Sequence, residues 1–240
     1  MILRPSVRAL RAASFAAGVV LLATPAFAQV GVGYPPSASP FRDVEYRQEL
    51  TGFTGWFNAG RDPAGVAPQS GPMIGARYEV RVGGPAQFMV RLAHVASERR
   101  VLDPRLPDET RDLGVRSWPL WAADLGLTLN LTGQKTFHGF VPLLQAGAGI
   151  VSDFKSQADT GGFEFGTAFA FTYGLGIRWV PGGRFQARVD LTDYAYQINY
   201  PDSYYLTAPD TTSVLSGNQS TKVWKQNIAL TVGASYLFFR

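Results

Sequence analysis

The chain has 240 residues, 46% of them hydrophobic and 17% charged, enough for one substantial domain. It contains no Cys, which excludes a disulfide framework, a thiolate metal site and lipoprotein acylation. Its formal charge of +4 owes most to three arginines near the N-terminus, so the charge makes no case for nucleic acid as a partner.

Those arginines open a secretory signal. Arg4, Arg8 and Arg11 form a positive n-region, Phe15 to Ala23 an apolar h-region, and Ala26-Phe27-Ala28 an A-x-A cleavage site before Gln29. The apolar run is shorter than the roughly 20 residues of a spanning helix. The expected organisation is a signal peptide over 1–28, a flexible periplasmic leader over 29–41 rich in Pro, Gly and Ser, and one barrel domain over 42–240. No later stretch is apolar enough for a spanning helix, so any membrane reading rests on strands.

Eight period-two segments follow. The first, Glu49 to Asn58, does not say which of its faces is outside. The second, Met73 to Val82, sets Ile74, Tyr78 and Val80 against Arg77, Glu79 and Arg81, and Gly83-Gly84-Pro85 turns it into the third, Gln87 to Ser97. A mixed-charge segment, Glu98 to Gly114, reads as a solvated loop. The fourth, Ser117 to Leu131, opposes a leucine-rich face to Asp124, Gly126 and Thr128. The fifth, Gly139 to Val151, follows a short turn.

The sixth, Phe163 to Trp179, is the most informative. Alternate residues split into Phe163, Phe165, Phe169, Phe171, Tyr173, Leu175, Ile177 and Trp179 against Glu164, Gly166, Ala168, Ala170, Gly174, Gly176 and Arg178. A soluble strand is about 5–6 residues long, whereas a bilayer-spanning strand needs about 9–11. Small residues on one face suit a narrow lumen, and aromatics on the other suit lipid. The seventh, Arg184 to Ile198, and the eighth, Trp224 to Arg240, alternate likewise. Connections are long after the odd strands and short after the even ones, the pattern of an outer-membrane barrel with external loops and periplasmic turns. The expected fold is all-β: an eight-stranded antiparallel up-and-down transmembrane β-barrel.

The chain end, Tyr236-Leu237-Phe238-Phe239-Arg240, resembles the C-terminal signature of Gram-negative outer-membrane barrels. Tyr236 and Phe238 match its Tyr-x-Phe pattern, with Leu230 and Val232 in phase, although Phe238 is not terminal. The mature chain as a whole resembles, in its pattern of strands and loops, the outer-membrane β-barrel domain family that includes the OmpA-type and OmpX-type barrels. That resemblance implies export to the outer membrane of a Gram-negative bacterium and insertion by the barrel-assembly machinery, with outer-membrane lipid around the wall and a surface ligand reached through the loops.

Arg77, Glu79, Arg81, Arg91, Asp124, Glu164, Arg178, Arg188 and Asp190 are expected to point inward as a polar network. Buried charges must be paired, and an eight-stranded interior is just wide enough for side chains to fill it. The expected role is structural or surface-interacting, with a narrow channel for small solutes as the alternative. A lipid-modifying enzyme is a weaker one, because His94 and Ser97 fall on opposite faces of a strand and His138 lies at the other rim. No cofactor, metal or catalytic set is expected. Tyr194, Tyr196, Tyr200, Tyr204 and Tyr205 read as an interfacial girdle and rim.

Overall fold

The computed structural model describes residues 39–239 apart from residue 156. The signal peptide, its cleavage site, most of the leader and Arg240 lie outside the described residues. The strands are β1 (Phe41–Asp43), β2 (Gln48–Asn58), β3 (Gly71–Gly83), β4 (Ala86–Val95), β5 (Glu98–Leu102), β6 (Asp112–Ser117), β7 (Leu120–Asn130), β8 (Lys135–Phe137), β9 (Phe140–Ser152), β10 (Thr167–Gly182), β11 (Phe185–Asn199) and β12 (Lys222–Phe238). Eight of them, β2, β3, β4, β7, β9, β10, β11 and β12, form an antiparallel ring. It closes where β12 pairs with β2 and where β7 pairs with β9, so no long strand keeps a free edge.

The wall separates the two faces that the alternation separates. Phe169 is 56% exposed while Ala170 beside it is 1% exposed. Leu125, Leu127, Leu175, Leu230 and Val232 also point outward and lie open. An apolar belt that runs around a whole barrel far exceeds the patches a soluble protein exposes, and it is the surface a bilayer requires. Trp56, Trp121 and Trp224 ring the long-loop end of this belt, and Tyr236, Trp179 and Phe140 the short-turn end. On β2 the structure decides the facing that the sequence leaves open: Leu50 and Trp56 point out, and Glu49, Thr51, Phe53 and Phe57 point in.

Two boundaries differ from the sequence reading. The sixth barrel strand begins at Thr167 rather than Phe163, because Gly166 takes a left-handed backbone (φ 62°) that breaks the alternation. The barrel unit also takes in the last residue of the expected leader. Phe41 already belongs to β1, which pairs with β8 on the rim beside β9. The chain then reaches β2, four places round the eight-stranded ring from β9, so residues 44–47 cross the short-turn mouth. Arg81 at the end of β3 holds that crossing by donating to the Val44 and Tyr46 carbonyls at 2.7 and 3.0 Å.

Candidate functional site

Inward-facing side chains are buried along the bore from the short-turn end to the long-loop end. At the short-turn end, strand register places Glu49 directly opposite Glu79 on β2 and β3, and Arg178 directly opposite Arg188 on β10 and β11. Like charges side by side repel. These two pairs sit on opposite walls, so the two carboxylates face the two guanidiniums across the bore. Arg178 lies 3.1 Å from Glu49 and 3.2 Å from Glu79, and Arg188 pairs with Glu79 and, at 2.7 Å, with Asp190. Thr128 donates to Glu79, Arg178 donates to Gln87 at 3.1 Å, and Arg77 lies 3.5 Å from Asp190.

Midway along the bore, Arg91 makes a two-pronged contact with Asp124, at 2.9 and 3.0 Å. Its remaining arm donates to Thr192, which Gln145 also reaches, and Thr172 donates to Asp124. The charges of this polar section therefore balance, Arg77, Arg91, Arg178 and Arg188 against Glu49, Glu79, Asp124 and Asp190, all buried, while Lys225 of β12, also buried, lies nearer the long loops and donates to the Pro68 carbonyl at 3.0 Å. Charges removed from water are tolerable when paired and hydrogen-bonded in this way.

Above this level the lumen turns apolar. Phe53, Phe57, Met73, Ala93, Ala170 and Tyr194 form one buried cluster with residues of the long loops. Tyr194, Tyr196 and Tyr204 belong to it, so these tyrosines are interior packing and not a lipid-facing girdle. Burial and the Asp62 carboxylate, to which it donates at 3.0 Å, raise the Tyr200 hydroxyl above its ordinary pKa.

The long loops form a knit cap. Loop 59–70, the β5–β6 hairpin arm, loop 153–166 and loop 200–221 meet over the cluster, and Arg99 is the tie between the first three. It is fully buried, donates to the Val66 carbonyl at 3.2 Å and to Asp159, and lies 4.6 Å from the ring centres of both Trp118 and Phe163. The segment expected to be a solvated mixed-charge loop is thus partly core, with Arg111 buried as well and donating to Thr212. Asp210 accepts the Asp108 amide at 2.7 Å and the Thr212 hydroxyl. These bonds hold its carboxyl down at about 2.

Of the nine residues expected inside, Arg77, Glu79, Arg91, Asp124, Arg178, Arg188 and Asp190 line the buried bore. Arg81 lies half-buried at the mouth on backbone carbonyls. Glu164 does not point into the lumen: it precedes β10 and is exposed in the loop, because the strand starts later than its alternation suggests. Glu49 was missed, since the phase of the first strand is not readable from its residues. Tyr236 faces outward and stacks on Phe238, which in turn stacks on Tyr78. His94 packs edge-on against Trp121 on the outer face, while Ser97 is buried and donates to the Gln69 carbonyl at 2.7 Å. The two side chains make no catalytic pair.

No family model matches the chain, and no curated protein matches it. Among solved structures it is similar to the outer membrane protein OprG from Pseudomonas aeruginosa, at 11% identity and a TM-score of 0.51, over 82% of this chain and 99% of that one. It is also similar to Neisserial surface protein A, at 11% identity and a TM-score of 0.47, over 83% of this chain and 98% of that one. At such identity the likeness is one of fold, and the fold of this chain is that of the eight-stranded outer-membrane β-barrels.

Proposed function

We propose that the protein is a closed barrel of the Gram-negative outer membrane. In this reading it stiffens the wall and presents a folded loop cap to the outside, and it conducts no solute. The observation that carries this reading is the filled bore: a charge-balanced polar section, an apolar section and a packed cap lie in series, with a chain segment across the other mouth. Export through cleavage after Ala28, insertion through the Tyr236–Phe238 end and a wall solvated by outer-membrane lipid complete the picture. The apolar belt and the resemblance of the chain end support them. An enzymatic role finds no support in the placement of His94 and Ser97.

Uptake by proteoliposomes tests the reading. Vesicles carrying the refolded barrel should swell in small sugars and amino acids no faster than empty vesicles. Swelling that scales with protein content would favour the narrow-channel alternative.

A further inference from the structure

In the long-loop cap lies an open cleft of about 590 Å³ between the β5–β6 arm and loop 153–166, lined by Arg116, Trp118, Phe154, Lys155, Gln157 and Thr160 among others. Its charge is unusual. Arg116 stands directly opposite Arg99 in the β5–β6 register, so two guanidiniums are cross-strand neighbours on one face. Arg99 is neutralised by Asp159, and no carboxylate pairs with Arg116 among the described residues. The Lys155 ammonium sits 3.3 Å above the Trp118 ring centre and also lacks a carboxylate partner among the described residues. The nearby acids are committed: Asp153 accepts the Trp118 indole N–H and the Lys155 amide, and Asp159 accepts Arg99 and two backbone amides. Two cations therefore face the cleft with their charge unmet, one of them fixed in place by an indole.

The remaining lining narrows the ligand. Phe154 is 73% exposed on a left-handed backbone (φ 52°), which leaves its ring at the cleft with little packing of its own. Gln157 and Thr160 add side-chain hydrogen-bonding groups that suit hydroxyls. An aromatic plane, neutral polar groups and two unpaired cations together fit a sugar that bears an anionic group. The place of the cleft indicates where it comes from: β5 and β6 form their own two-stranded sheet, joined to the wall at the long-loop ends of β4 and β7, so the cleft lies among the long loops and not in the wall.

We propose that this cleft binds a soluble anionic saccharide, a sugar from the medium that bears a phosphate ester or a free carboxylate, through Arg116 and Lys155. The inference rests on the proposed surface presentation of the loops for its setting, but the cleft is tested on purified protein, so its failure would leave the closed-lumen reading standing. The mature chain refolded in detergent micelles is titrated calorimetrically with glucose 1-phosphate, with glucose and inorganic phosphate alongside. Saturable binding of the sugar phosphate, tighter than either control, is expected. Arg116→Ala with Lys155→Ala should weaken it about tenfold or more, with the heat-dependent electrophoretic shift of the folded barrel unchanged. Should that double variant not fold, Lys155→Gln, at an exposed side chain, should still weaken binding severalfold. Absence of saturable binding, equal binding of glucose or of inorganic phosphate, or full affinity in the variants would overturn the proposal. So would competition by lipopolysaccharide held in the same micelles, which would assign the cleft to a lipid headgroup.

Discussion

Arg178 on β10 and Glu79 on β3 meet at 3.2 Å across the bore, from strands on opposite walls. Each has a like-charged neighbour in register, Arg188 beside Arg178 and Glu49 beside Glu79, so neither pair of strands could bury its charges alone. The closed ring is what brings the two halves together, and this couples barrel closure to charge neutralisation.

Glu79→Leu should therefore be among the most damaging single changes in the wall. It removes the carboxylate shared by two buried guanidiniums, leaving Arg178 only Glu49 and Arg188 chiefly Asp190, and removing one partner of a buried ion pair costs about 3–5 kcal/mol. Urea titration of the barrel in lipid vesicles measures the loss. Glu164→Ala, in the exposed loop, should leave the midpoint unchanged. Equal midpoints for the two variants would contradict the network.

Facing is tested at two adjacent residues. Phe169→Arg places a charge on the lipid side and should cost about 2–4 kcal/mol of folding stability near the midplane. Ala170 faces inward, into the apolar section beside Tyr196 rather than into the polar one. Ala170→Phe should then destabilise by overpacking, about 1–3 kcal/mol, and the same urea titration reads both. A neutral Phe169→Arg would place that face away from lipid.

Arg99→Ala should loosen the cap without opening the barrel wall. It deletes the tie between three loops and leaves Asp159 with backbone partners only. Trypsin should cut native protein at exposed Arg100 and Arg105 but spare buried Arg111. In the variant, cleavage after Arg111 should speed up by roughly tenfold or more, since proteolysis of a buried site follows local opening. An unchanged rate at Arg111 would mean that Arg99 does not hold the cap.

The sequence makes the barrel legible because the period-two pattern follows from local sterics, and strand number, loop alternation and most inward charges come with it. Its failures sit where the pattern stops being local. Phe163 and Phe165 continue the aromatic phase of β10, yet Phe163 is buried against Tyr204 in the cap, so Glu164 was carried into the wall with them. On β2 both faces carry aromatics, because Phe53 and Phe57 serve the apolar section of the lumen, and Glu49 was lost in that ambiguity. The cap itself is made of contacts between loops far apart in sequence. An arginine such as Arg99 among eight other charged residues of its segment gives no local sign that it is fully buried.

The contact between the second and fourth long loops should persist to unusually low pH. The Asp108 amide and Thr212 hold the Asp210 carboxyl at about 2, below the ordinary value of 3.8. A depressed carboxyl stabilises above its unfolded pKa and loses that contribution as pH falls through the folded one. The Asp108 amide should stay ordered at pH 4 and lose its bond only as pH falls through about 2, as its NMR shift in micelles would report. Loss of the bond above pH 5 would contradict the assignment.

Single-channel recording in planar bilayers tests the closed bore most directly. At moderate voltage in molar salt, the inserted wild-type barrel should show no steady conductance above the bare membrane. Glu79→Ala together with Arg178→Ala, which shortens one facing pair across the bore, should be the first change to admit brief ion passage. A stable, reproducible conductance step from the wild-type protein would contradict the account.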